Sequence, residues 1–512
     1  MINLIKIGFK IFFLSTNIHS DMVIANDIAE NSSAEVTSAS TFGGIMKKTW
    51  VLILARSAIA VGGASIFINM LIISQIIWPG DQFHAQSIGI IAGLGSWAIA
   101  FSGLLFGWIV DKFSRAKTLI FIMLVHGVGL VLNGFAPEGL GQLTFSFFLI
   151  CNLIRGFAAG GIMPVINSAS SDKLDEDQRS AFFGLLMAVF QLFQIGGMIA
   201  SALLFQNLWW REFYWLFGAL SLITAVIAAI FNDEPKRAAT REELKSVLSI
   251  AGSEYNYKLN KETIKDTMLS RTNIIAFAEG ILTTVLMSIP DFLLLPYLQS
   301  APYNLSPLMT SLIMVIFGLP GGIMGSLVFA KASDKLAKKD IKNRVYLITF
   351  SLIGTCLFFF VIFFIPIPPM SINQGNSIGY LLSVPIFWVV GLMAFMGRSL
   401  MGIYTINQPP VLQSINLPEA QGTISSLNQF LESIGYGTGS LIAGSMLQFF
   451  GYNYQLTVAV TMSIGISGAL MWLLALKTIN KDKKDVTKIL AQRAIEINGN
   501  ATKSPEQQDE IN

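Results

Sequence analysis

The chain has 512 residues, of which 53% are apolar and only 13% charged, with a formal net charge of +3. A soluble globular chain carries about 25% charged residues, so the solvent for most of this one is lipid; a soluble domain that binds nucleic acid is excluded. Two cysteines, Cys151 and Cys356, and three scattered histidines, His19, His84 and His126, supply neither a disulfide framework nor a zinc motif, and no metal or cofactor is implied.

A membrane helix needs about 20 mostly apolar residues. Residues 1–45 read as a cytoplasmic tail, disordered or interfacial; Lys6 and Lys10 interrupt its apolar stretch, and no small-residue cleavage site follows. Six predicted spans come next, near 50–77, 86–110, 117–136, 142–170, 179–206 and 212–231. A charged linker at 232–271 separates them from six more, near 272–299, 305–331, 343–366, 378–415, 421–449 and 453–477. In the linker, Thr240 with Glu243 has the form of a capping box, and Leu244, Val247, Leu248 and Ala251 make one apolar face. The run at 378–415 is long for one span, and Pro409 and Pro410 are expected to kink or end it. The chain thus divides into six-helix bundles at 46–231 and 272–479, with a tail at 480–512 holding a short helix around Val486–Ile497.

Orientation follows from the 34 Lys and Arg. Arg56, Arg155 and Arg398 fall inside spans and Arg211 in the loop after span five; all the others fall on one side or in the termini. Short loops carry the signal: 111–117 holds Lys112, Arg115 and Lys117, and 332–342 holds Lys335, Lys338, Lys339 and Lys342, whereas 137–141 and 367–377 hold none. Positive charge is retained inside, so both termini and the linker are expected in the cytoplasm, with the spans in the cell membrane.

The chain also repeats itself. Gly107-Trp-Ile-Val-Asp111-Lys112 after span two matches Ala330-Lys-Ala-Ser-Asp334-Lys335 after span eight, displaced by 223. Arg155 in span four matches Arg398 in span ten, displaced by 243, and the same displacement lays Glu176, Gln178 and Ser180 over Glu419, Gln421 and Thr423. Two six-helix halves repeated in parallel sense form an all-α membrane fold of 12 spans, with a solute site near the midplane between the halves. The stretch from Gly107 through Asp111 and Arg115 to Lys117 resembles the loop motif of the major facilitator superfamily, with Ser114 where that family prefers glycine. Asn152-Leu-Ile-Arg155-Gly is similar to the family's span-four arginine motif. The resemblance covers roughly 46–480 and implies a transporter of the major facilitator fold that works by alternating access. It implies that Gly107, Asp111, Arg115 and the repeat mate Asp334 gate the basic face. The spacing of spans seven, ten and eleven is similar to Spinster-like carriers. Those carry an acid in span one, whereas Ile68–Gln75 has none, so proton coupling through span one is not implied. Span five lacks the Gly-Pro element of drug/proton antiporters, against a multidrug exporter.

A charge at the bilayer centre costs at least about 2.5–3.5 kcal/mol and needs a partner or water. At 1.5 Å per residue, Arg155, Arg398 and Glu432 fall near midplane, Glu279 in the cytoplasmic third and Asp291, after Pro290, near the outer mouth. Arg398 and Glu432 match in depth and are expected to pair. Arg155 has no acid at its depth in its own half, so it is expected to use Gln191, Gln194, backbone carbonyls, an acid across the cavity or an anionic solute. The candidate substrate or coupling residues are therefore Arg155, Glu279, Arg398, Glu432, Asp291 and Gln191. The expected function is a carrier, secondary active or facilitative, for a small solute of anionic or amphipathic character. A transporter-like receptor without turnover and a multidrug or lipid exporter are the alternatives, while an intramembrane enzyme would need a nucleophile–base pair or metal ligands that the spans lack. Expected partners are the solute, the lipid bilayer and, as an open option, a coupling proton; the chain is expected to be a monomer.

Overall fold

In the computed structural model, residues 31–63, 65–174, 176–232, 264, 268–417 and 420–501 are described. The linker's capping box and apolar face, most of the N-terminal tail and the last residues of the C-terminal tail lie outside them. The first span, α1, comprises Asn31–Gly63, Ser65–Ile68 and Met70–Ile77. Its last break is at Asn69, whose side-chain amide donates to the Ser65 carbonyl at 2.9 Å. Then come α2 (Ala85–Lys112), α3 (Arg115–Gly134), α4 (Gln142–Lys173), α5 (Glu176–Gln206) and α6 (Trp210–Phe231). The second set opens with α7 (Arg271–Gln299). The eighth span, α8, joins Pro307–Ile313 to Leu319–Lys339 through a wide π-turn at Met314–Gly318. Pro320, which has no N–H to give to the turn before it, accounts for that widening. The rest are α9 (Lys342–Ile362), α10 (Pro385–Ser414), α11 (Gln421–Phe449), α12 (Tyr454–Ala475) and a terminal α13 (Ile479–Ala501).

Among the described residues, 11 helices are long and apolar enough to cross a membrane. Of the two other long helices, α13 is the charged terminal one, and α11 carries Asn428, Gln429, Glu432 and Ser433 in its middle and packs between α2 and α7. Three expectations change. Helix begins at Asn31, inside the stretch expected to be tail. The long run near 378–415 divides before Pro385, while α10 continues through Pro409 and Pro410 to Ser414. The C-terminal helix is longer than expected at both ends.

The repeat is visible in the packing. Helix α1 packs on α5, α2 on α4 and α3 on α6; six helices on, α7 packs on α11, α8 on α10 and α9 on α12. Small residues allow the close approaches. A Cβ on Gly156 of α4 would lie 2.6 Å from the Gly95 carbonyl oxygen of α2, and one on Gly402 of α10 would lie 2.8 Å from the Gly325 carbonyl carbon of α8.

The two halves meet chiefly through α2 and α11. Contacts run from Gly89 against Gly444, through Gly93 against Gly437, to the Phe101 and Phe430 rings with centroids 5.4 Å apart. Trp97 Nε1 donates to the Ile434 carbonyl at 3.0 Å. On the side away from the basic loops, Gln299 Nε2 donates to the Ile68 carbonyl at 3.0 Å and Gln206 Nε2 to Asn376 at 2.7 Å. These bonds bridge the two halves on this far side.

Candidate functional site

Midway along the helices, between the halves, lies a cavity of about 700 Å³. Its walls come from both halves: Phe67 and Ile68 at the break in α1, Ser96 of α2, and Gln191 and Gln194 of α5 face Asp291 and Leu294 of α7, Met314 and Ile323 of α8, Arg398 of α10 and Tyr436 of α11. Local breaks help to open it. The interruption of α1 and the π-turn of α8 both lie on its wall, and Pro290 stands beside Asp291.

Arg398 and Asp291 form an ion pair across the C-terminal half, Nη2 to Oδ1, with side chains 36% and 22% exposed to the cavity. The Tyr436 hydroxyl donates to the other oxygen, Asp291 Oδ2, at 3.2 Å. Phe359 stacks behind the guanidinium, its ring centroid 5.4 Å from Cζ. The pair is nearly neutral as it stands, but each member keeps a face toward the cavity. A bound anion can compete for Arg398, and a bound cation for Asp291.

This corrects the expected Arg398–Glu432 pair. Equal depth does not give equal azimuth, because each residue turns about 100° around the helix axis. Glu432 Oε1 instead accepts from Gln408 Nε2 and Asn428 Nδ2, each at 2.8 Å. Glu279 is fully buried and accepts from the Thr283 hydroxyl. Gln191 is on the wall, as is Gln194. Arg155 is elsewhere: 6% exposed, within the N-terminal half, acting electrostatically on His126 and Tyr214. Its Nη1 has no hydrogen-bond partner. His126 beside it shares a 3.1 Å hydrogen bond with Ser221. The structure thus assembles Arg398, Asp291 and Gln191 at one cavity and leaves Arg155, Glu279 and Glu432 off its wall.

At the basic end, Gly107 lies in open space and Arg115 is buried at the start of α3; the Asp111 side chain is outside the described residues. In the second half, Arg344 Nη2 donates to Asp334 Oδ1 at 2.6 Å and Nη1 to Asn407 Oδ1 at 3.0 Å, tying α8, α9 and α10 together. Arg344 was not singled out in the sequence, although it opens α9 as Arg115 opens α3. Tyr436, Gln408 and Asn428 were also missed, because nothing distinguishes one neutral polar side chain in a span from another.

A family model described as Major Facilitator Superfamily matches residues 57–435. A probable sulfoacetate transporter of Cupriavidus necator is 27% identical over 35% of this chain and 41% of its own length. Synaptic vesicle glycoprotein 2C of Mus musculus is 30% identical over 29% of this chain, only 21% of that protein's length. A probable sugar efflux transporter of Helicobacter acinonychis is 21% identical over 81% of this chain and 90% of its own. Among solved structures, an inward-facing, occupied bacterial homologue of the human lysosomal transporter Spinster superposes with a TM-score of 0.62 at 14% identity, covering 85% of this chain and 98% of that one. A nucleoside transporter superposes with a TM-score of 0.60 at 15% identity, covering 84% and 99%.

Proposed function

The chain belongs to the major facilitator superfamily and is a multi-pass membrane transport protein, and on that premise we propose that it moves a small amphipathic anion by alternating access. The observation that carries this reading is the midplane cavity, where one half contributes Arg398, Asp291 and Tyr436 and the other contributes Gln191 and Gln194. A solute there is gripped by both halves, so its binding free energy can bias the equilibrium between their arrangements. The volume suits a small molecule. Arg398 supplies a planar guanidinium for a carboxylate or sulfonate head, and Leu294, Met314 and Ile323 supply an apolar wall for the body. One partly matching relative is named for an organic anion, sulfoacetate. With the basic loops in the cytoplasm of a cell-membrane protein, closure on the far side makes the present arrangement inward-facing.

The test is a thermal-shift screen of purified protein against organic anions, amphipathic lipids and sugars, with Arg398→Gln in parallel. Anions that stabilise the wild type should lose that effect in the variant. If they stabilise both proteins equally, the anion assignment is wrong. Uptake of the same anion into proteoliposomes then separates a carrier from a receptor.

A further inference from the structure

The first span carries a second cation that the cavity's ion pair does not use. From Val51 to Gly63, α1 is almost wholly enclosed: only Leu54, Arg56 and Gly63 are not buried. Gly63 lies on the cavity wall, and a Cβ there would meet nothing within 4 Å. Arg56 precedes it by seven residues. At about 100° per residue the two point the same way to within about 20°, and at 1.5 Å per residue Arg56 stands roughly 10 Å nearer the basic loops. A snorkelling arginine reaches out from a lipid-facing surface, whereas this stretch of α1 is packed against α5 and α6 and buried on its other faces.

Helix α5 supports the guanidinium. Arg56 Cζ lies 4.1 Å from the Phe190 ring centroid, and Gln191 and Gln194, beside Phe190 and one turn on, belong to the cavity wall. Among the described residues no carboxylate forms a salt bridge with Arg56, and its buried Nε has no hydrogen-bond partner. On the facing half, the wall continues toward the basic loops through neutral side chains. Thr405, seven residues past Arg398 on α10, and Gln429, one turn before Ser433 on α11, are both exposed. Arg398 shares its charge with Asp291, so the uncompensated attraction for an anion on this approach comes from Arg56. A guanidinium backed by an aromatic ring and free of an acid suits a planar anion.

We propose that Arg56 is an entry site for the solute: it takes the carboxylate or sulfonate head at the basic mouth of the cavity and passes it to Arg398. The proposal rests on the anion reading above and adds a second binding residue to it, carried by the opposite half. Arg56 draws the anion in by its unshared charge. Arg398, deeper and beside the apolar wall of Leu294, Met314 and Ile323, then holds head and body together. Loss of Arg56 therefore slows arrival at the cavity more than it speeds departure, the behaviour of a charge at the rim of a binding surface.

The experiment uses the purified full chain in nanodiscs of zwitterionic lipid, with sulfoacetate as the probe and its association and dissociation rates read by surface plasmon resonance. At about 0.1 M salt, wild type should associate on the order of 10-fold faster than Arg56→Gln, and the gap should narrow in high salt. The dissociation rate should change much less. Arg56→Lys, which keeps the charge, should recover most of the rate. Arg56→Met, which keeps an apolar stem over Phe190, should be as slow as Arg56→Gln and serves if that variant does not fold. Lys47→Gln removes the same charge roughly 13 Å back along α1, beyond the Debye length of about 10 Å, and should leave the rate near that of wild type. The proposal is overturned if Arg56→Gln, or Arg56→Met in its place, associates as fast as wild type, or if Lys47→Gln slows association equally. It is also overturned if Arg56 holds a lipid headgroup instead. Phosphatidylglycerol in the disc would then raise the unfolding temperature of wild type but not of Arg56→Gln, with no difference in rate. The anion reading itself is tested at equilibrium through Arg398→Gln, so either can fail without the other.

Discussion

Replacing Gly89 with valine should open the far side of the transporter. A Cβ at Gly89 would sit 2.7 Å from the Ser440 carbonyl oxygen and 3.4 Å from the Gly444 Cα. Ordinary contact starts near 3.4 Å, so α2 and α11 must part by roughly 0.7 Å at that level before valine's methyls are placed, and overpacking of this kind costs about 1–3 kcal/mol. The cost falls on the state in which the two helices touch there, namely the one closed on the far side. A two-state equilibrium biased by that amount moves about 5- to 150-fold toward the alternative. The assay is alkylation of Ser96→Cys, on the cavity wall of α2, by an impermeant thiol reagent added from the far side. The buried Cys151 and Cys356 are replaced in the background. The Gly89→Val protein should react at least several-fold faster than its parent. An unchanged rate, whether or not the unfolding temperature falls, refutes the claim that this contact holds the far side shut.

Arg344→Ala should destabilise by about 1–3 kcal/mol, mainly by leaving the buried Asn407 Oδ1 without its donor, since Asp334 is 63% exposed and its share is screened by salt; denaturation at low and high salt separates the two parts. Arg155→Met should hold or raise the unfolding temperature, because what it removes is a buried guanidinium whose Nη1 has no partner. A fall of several degrees would reveal an acid or bound anion compensating Arg155. Cysteines placed at Lys339 and Asn373 should be labelled from opposite sides of the membrane in intact cells, Asn373 from outside; labelling of both from one side overturns the proposed orientation.

What the sequence made legible is what lipid enforces on every helix. Backbone groups must be satisfied within the span and polar residues excluded from its surface, so span positions, the central division and the repeat could all be read as patterns. The repeat implied two parallel six-helix halves, which the pairing of α1 with α5 and α7 with α11 displays, and the resemblance at Gly107–Lys117 and Arg155 implied the major facilitator fold. The depth of the charged residues was also readable, because rise per residue is constant. Direction around the axis was not. Arg398 found Asp291 rather than Glu432, and Arg155, a candidate for the solute because its own half offers no acid at its depth, is buried within that half. The neutral partners that decide such choices, Tyr436, Gln408 and Asn428, carry no signal in a single sequence, since a span tolerates amides and hydroxyls wherever a carbonyl one turn back can accept.

The account turns on Arg398, whose internal partner is Asp291, holding an anionic solute at the midplane. Its most direct test is equilibrium binding of one stabilising anion to wild type, Arg398→Gln and Asp291→Asn. A charge-assisted hydrogen bond contributes about 1.5–3 kcal/mol, so Arg398→Gln should bind on the order of 10- to 150-fold more weakly. Asp291→Asn frees the guanidinium of its internal competitor and should bind as tightly as wild type or more so. Wild-type affinity in Arg398→Gln, or loss of binding confined to Asp291→Asn, would contradict the account.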